Sequence, residues 1–99
     1  MNIFLVAVVN ADPKRSRTWG WYEKFEDAEK SVLANCTDMF ECGYYQYAVI
    51  EEMPEGVLAV VANESWFQAV YHPAHAMEPK VERIQKPATF SGNFNFTLG

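Results

Sequence analysis

The chain opens on Ile3-Phe4-Leu5-Val6-Ala7-Val8-Val9, apolar at every position. Apolar side chains on both alternating faces predict a strand from Met1 to Asn10 that is covered on each side, as a central strand is. Asn10-Ala11-Asp12-Pro13 predicts a turn or loop. Strand character returns from Ser16 to Glu23, where Gly20 marks a bulge or the close approach of another backbone. At Phe25 the period changes. Phe25, Ala28, Val32, Leu33 and Cys36 recur at helical spacing, while Glu26, Asp27, Glu29 and Lys30 fall opposite them. This predicts a helix from Phe25 to Asn35, with acidic residues suited to its dipole in the first turn and Lys24 as a poor cap.

Beyond the helix, Thr37 to Gly43 predicts a turn or short helical extension ended by Gly43. Tyr44 to Met53 has the aromatic and β-branched content of a long strand, closed by Pro54-Glu55-Gly56. Val57–Val61 and Trp66–Tyr71 predict two more strands, with Ala62-Asn63-Glu64-Ser65 as the turn between them. His72 to Pro79 is a loop bracketed by prolines, and Val81–Gln85 a short strand. Phe94, Phe96 and Leu98 alternate with Asn93, Asn95 and Thr97, the pattern of a half-buried final strand.

Strand, strand, helix and then four or five strands predict an α+β domain over residues 1–99. Its sheet is mainly antiparallel, with one helix packed on a face. Trp19, Trp21, Tyr45, Tyr47, Trp66 and Phe67 exceed what one short helix can cover. The surplus predicts a pocket, a second small sheet or a subunit interface, hence a homo-oligomer.

Composition narrows the partners. Ninety-nine residues, 49% hydrophobic and 15% aromatic, suffice for one core without disulfides or metal. A net charge of −5 with eight basic residues argues against non-specific nucleic-acid binding, because phosphate contacts need clustered cations. The longest apolar run falls far short of a membrane-spanning helix and lacks the flanks of a signal peptide. A cytoplasmic location is therefore expected, with Cys36 and Cys42 as free thiols.

The leading candidate site is Arg17-Thr18-Trp19-Gly20-Trp21-Tyr22. Strand alternation would line Arg17, Trp19 and Trp21 on one side, two stacking faces beside a planar cationic fork. The same residues also suit a core strand with a snorkelling Arg. Tyr45 and Tyr47 would share a face with Val49 as a pocket wall or interface, and Arg83 is a second candidate cation. Glu51 and Glu52, being adjacent, point to opposite faces and cannot converge as an acid/base pair, whereas Asp38 and Glu41 could. Cys36, Cys42, His72 and His75 are ligand-type residues at atypical zinc spacing, so no metal site is expected. Cys36 falls on the apolar helix face, where a thiol is inert. No phosphate-cradling glycine loop, nucleophile elbow or dinucleotide fingerprint occurs, and no cofactor is expected.

Arg17–Tyr22, Asp27-Ala28-Glu29, Asn35–Glu41, Tyr44–Glu52, Trp66 and the closing Asn95–Gly99 together resemble small uncharacterised proteins of gut and clostridial bacteria and their phages. Lys24 departs from the Ser or Thr cap of such proteins, and the His72–Pro79 loop is longer. The resemblance implies a non-enzymatic, phage-type anti-defence protein of the host cytoplasm. By analogy with the Thoeris anti-defence proteins, it would sequester a nucleotide-derived signal. Arg17 would then meet phosphate, Trp19 and Trp21 would stack on the base, and Tyr45, Tyr47 and Arg83 would complete the site. The alternatives are a protein–protein inhibitor of a host enzyme or nucleic-acid-binding complex, and a nucleotide-processing enzyme.

Overall fold

The computed structural model describes residues 2–11, 15–54, 61–75, 78–90 and 96. Five strands form one antiparallel sheet: β1 (Asn2–Asn10), β2 (Arg15–Tyr22), β3 (Tyr47–Pro54), β4 (Asn63–Val70) and β5 (Lys80–Ile84). Their spatial order is β2-β1-β3-β4-β5. Among the described residues one α-helix, α1 (Phe25–Leu33), lies between β2 and β3 in the chain and packs on one face of the sheet. The architecture is α+β, mainly sheet.

The continuous apolar run of β1 is explained by its two neighbours. Val6, Val8, Ala48, Ile50 and Phe67 pack beneath α1 with Ala28, Val32, Met39 and Phe40. Ala7, Val9, Val49 and Trp66 face the other way and are covered by Phe90 and Phe96. Each buried Val, Ile, Met or Phe side chain among these contributes about 1.5–3 kcal/mol of transfer free energy. The aromatic surplus is therefore largely absorbed by a second core layer. Trp66 stacks on Phe90 with centroids 5.3 Å apart and meets Phe96 edge-on at 5.1 Å. The described strands all belong to the one sheet.

At nine residues α1 is too short to persist alone, and packing holds it. Phe25 meets Phe4 edge-on at 6.0 Å, and the Tyr22 hydroxyl lies 2.8 Å from Ser31 Oγ. Lys24 caps it in extended geometry (φ −126°, ψ 137°) without a side-chain bond. The helix stops two residues before the predicted Asn35, because Asn35 turns left-handed at φ 47°. Leu33 is consequently exposed, and Cys36 lies exposed beyond the helix rather than on its buried face.

Two other boundaries move. β3 begins at Tyr47, not Tyr44, since the segment 41–43 forms a 3-10 turn and Tyr45 NH bonds back to Phe40 O at 3.1 Å. Asn63-Glu64-Ser65 belong to β4 rather than to a turn. Pairing of Ser65 with Ile50, Glu64 with Glu51 and Asn63 with Glu52 outweighs their turn propensity, and Asn63 Nδ2 donates to Glu52 Oε1 at 2.9 Å. The strands predicted at Val57–Val61 and Phe94–Leu98 fall outside the described residues, except for Val61 and Phe96, neither of which is in a strand.

Candidate functional site

A bulge in β2 decides the fate of the aromatic row. Val6 pairs with Gly20 and Ala7 with Thr18, leaving Trp19 as the extra residue. The slip resets the alternation. Arg17 pairs with Val8 and Trp19 packs against the helix-side core, while Trp21 pairs with Leu5 and faces the other side. Arg17, Trp19 and Trp21 therefore do not share a face, and their expected stacking site is not assembled. Arg17 donates to Glu41 Oε2 at 3.0 Å. Trp21 is 60% exposed.

Tyr45 and Tyr47 separate as well. Tyr45 is buried on the helix side, because it precedes β3 and escapes that strand's alternation. Tyr47 packs on the opposite layer, edge-on to Phe90 at 5.7 Å.

Arg83 has a different setting. Where β4 begins and β5 ends there is a cleft of roughly 450 Å³, lined by Asn63, Glu64, Ser65, Trp66, Arg83 and Lys86 among others. Strand alternation brings Ser65 and Arg83 from the helix face and Glu64 and Trp66 from the opposite one. The Arg83 guanidinium donates to Ser65 Oγ at 3.1 Å, lies 3.7 Å from Glu29 Oε2 and sits over the Phe25 ring at 5.6 Å. These contacts orient it, yet 58% of its side chain remains exposed. Lys86 Nζ approaches Glu64 Oε2 at 3.2 Å and the Phe96 ring at 6.0 Å. Glu64 Oε1 also accepts the Trp66 indole N–H at 3.2 Å. Asn63 is held by Glu52, whose carboxyl is kept below the usual range by hydrogen bonds, first from Asn2 and then from Asn63. Arg83, Lys86 and the Asn63 amide, each already paired with a glutamate that an incoming anion would have to displace, thus line one opening together with the Glu64 carboxylate.

Nothing of comparable chemical promise assembles elsewhere among the described residues. Asp38 and Glu41 do not converge. Asp38 accepts the Cys42 N–H at 3.1 Å and its Sγ–H at 3.4 Å, whereas Glu41 pairs with Arg17. The Cys42 backbone bond leads in holding the Asp38 carboxyl down, and the bond to Asp38 pushes the Cys42 thiol up. Cys42 is a hydrogen-bond donor here, not a thiolate nucleophile. The described residues hold no group of three or more His, Cys, Asp or Glu positioned for a metal ion. None of their helices is long and apolar enough to cross a membrane.

Lys86 and Asn63 were not apparent as site residues in the sequence. Lys86 lies two residues beyond β5 and three after Arg83, and Asn63 lies within a segment that reads as a turn, so neither position carries a site signal in the sequence. Comparison with known protein families, characterised proteins and solved structures returned no match.

Proposed function

We propose that this protein is a non-enzymatic binder of a small nucleotide-like anion, held in the cleft at the β4–β5 end. The observation that carries this reading is the meeting of Arg83, Lys86 and the Asn63 amide around one opening, in a chain of net charge −5. Arg83 offers a planar fork already oriented by Ser65, and Lys86 exchanges Glu64 for a stronger anionic partner. Among the described residues that line the cleft, no nucleophile has an adjacent base, which favours capture over turnover. Sequestration of a nucleotide-derived signal, in a phage-type anti-defence role, rests on the resemblance of the Arg17–Tyr22 and Tyr44–Glu52 segments.

Calorimetry against a panel of linear and cyclic nucleotides tests the reading. Wild-type protein takes up at least one of them, and the Arg83→Ala/Lys86→Ala double variant loses about tenfold or more in affinity, as expected for charge-assisted bonds. No uptake by wild type, or equal uptake by the double variant, overturns it. A protein–protein inhibitor is the second reading, favoured by the exposed Trp21 indole. Native mass spectrometry of protein purified from its host separates the two, by a bound nucleotide or a stoichiometric host protein.

A further inference from the structure

The groups that line the β4–β5 cleft are not equally open to a ligand. Lys86 Nζ lies 3.2 Å from Glu64 Oε2, with only 26% of the Lys86 side chain and 20% of the Glu64 side chain exposed. Glu64 is pinned in turn, because its Oε1 accepts the indole N–H of the buried Trp66 at 3.2 Å. Asn63 Nδ2 donates to Glu52 Oε1 at 2.9 Å, and Asn2 Nδ2 donates to the other oxygen of that carboxylate at 2.6 Å. Arg83 is held more loosely. Its Nη1 stands 3.7 Å from Glu29 Oε2, beyond hydrogen-bond distance, while its Nη2 donates to Ser65 Oγ at 3.1 Å. A guanidinium carries five N–H donors in one plane, so these contacts leave a two-pronged edge of Arg83 for a ligand.

Charge then limits what that ligand can be. Among the described residues, Arg83 and Lys86 are the cations of the cleft, and their contacts and that of Asn63 bring in Glu29, Glu64 and Glu52. Glu29, on α1, makes only the loose 3.7 Å contact and can yield to an incoming anion. Glu64 and Glu52 cannot leave so easily, since Trp66 fastens one and Asn2 the other. Two cations are thus offset by two carboxylates that stay beside the opening. A single negative charge is answered by the Arg83 fork and by Lys86. A second charge on the same group has no further lining cation to meet, and it faces the Glu64 carboxylate that Lys86 has just bared.

On the nucleotide reading above, on which this rests, we propose that the group recognised in the cleft is a phosphodiester and that doubly charged terminal phosphates are turned away. A phosphodiester spreads one charge over two equivalent oxygens, the pattern that the planar edge of Arg83 matches. Glu64 supplies the discrimination by repulsion, and the Trp66 indole holds it in position.

Calorimetry on the full chain at about pH 7.5 tests this with probes that share a nucleoside. Each 5′-monophosphate, a dianion at that pH, is compared with its O-methyl ester, a linear monoanion, and with the 3′,5′-cyclic phosphate. For at least one nucleoside the ester or the cyclic phosphate binds about tenfold tighter than the monophosphate, and Glu64→Gln narrows that gap to about threefold or less. Gln keeps an oxygen for the Trp66 indole, so the substitution removes charge and retains the hydrogen bond. A monophosphate or triphosphate that binds as tightly as the ester overturns the charge rule while leaving nucleotide capture standing. A gap unchanged by Glu64→Gln overturns it in the same way. No binding by any probe overturns both.

Discussion

Glu52 shows how much of a carboxylate's behaviour is set by its neighbours. Its two oxygens accept from Asn2 Nδ2 at 2.6 Å and Asn63 Nδ2 at 2.9 Å, tying the start of β1 and the start of β4 to β3. These bonds favour the charged form and depress its pKa below the unfolded value. A group depressed in this way contributes stability above its unfolded pKa and loses it as pH falls through the folded one. Glu52→Gln should therefore cost about 1 kcal/mol at neutral pH, with the difference from wild type shrinking as the pH drops below the ordinary carboxylate range. Urea unfolding at a series of pH values measures it, and a gap that widens on acidification contradicts the assignment. Arg83 makes the converse point. The sequence marks it as a cation, but only the contacts with Ser65 and Phe25 show it to be an oriented one.

At the scale of elements, the connection from α1 to β3 holds every non-glycine residue of positive φ among the described residues. Asn35, Thr37, Asp38, Glu41 and Cys42 all have positive φ, between 47° and 53°, and none is glycine. Asn and Asp tolerate this region because their side chains bond locally, as Asn35 Oδ1 does to Phe40 NH at 3.1 Å. Gly43, at φ 97° with the Tyr71 ring 3.5 Å from where a Cβ would stand, is in its natural place. Thr37 is not, since a β-branched side chain crowds the left-handed backbone. Thr37→Gly should stabilise the fold by about 1 kcal/mol, raising Tm by about 4–8 °C. Thermal unfolding decides it, and a fall in Tm would show that the Thr37 side chain contributes more than its backbone costs. The bulge in β2 belongs to this scale too. Gly20 signals a bulge or close backbone approach in the sequence, yet not which neighbour would be extruded, and that choice moved Trp21 away from Arg17 and Trp19.

For the molecule as a whole, the decisive feature is that both faces of the sheet are covered. α1 and the 39–45 segment cover one, and Phe90 and Phe96 cover the other. The second layer is anchored on Glu51, a fully buried carboxylate that accepts the Phe96 N–H at 2.7 Å, and on Ser16 Oγ, which donates to Phe96 O at 3.1 Å. Trp66 is its centre. Trp66→Ala removes ring contacts with Tyr47, Phe90 and Phe96 at once and should destabilise the protein by about 3–5 kcal/mol. Chemical denaturation with intrinsic fluorescence as readout tests this, and a loss under about 1 kcal/mol would mean that the layer packs loosely.

What the sequence determined by itself is the set of elements whose signal is repeated along the chain. The run of β1 reads as a strand with two covered faces, and the spacing of Phe25, Ala28 and Val32 reads as a helix with one. Order alone then leads to α+β with a mostly antiparallel sheet. Tertiary structure decided what a single side chain meets. Pairing with β3 drew Asn63–Ser65 into a strand, one inserted residue redistributed the tryptophans, and the β4–β5 end brought Arg83 to Lys86. The physical reason is that periodicity is a local average, which tolerates errors at single positions, whereas register and contact depend on each residue and on neighbours distant in the chain.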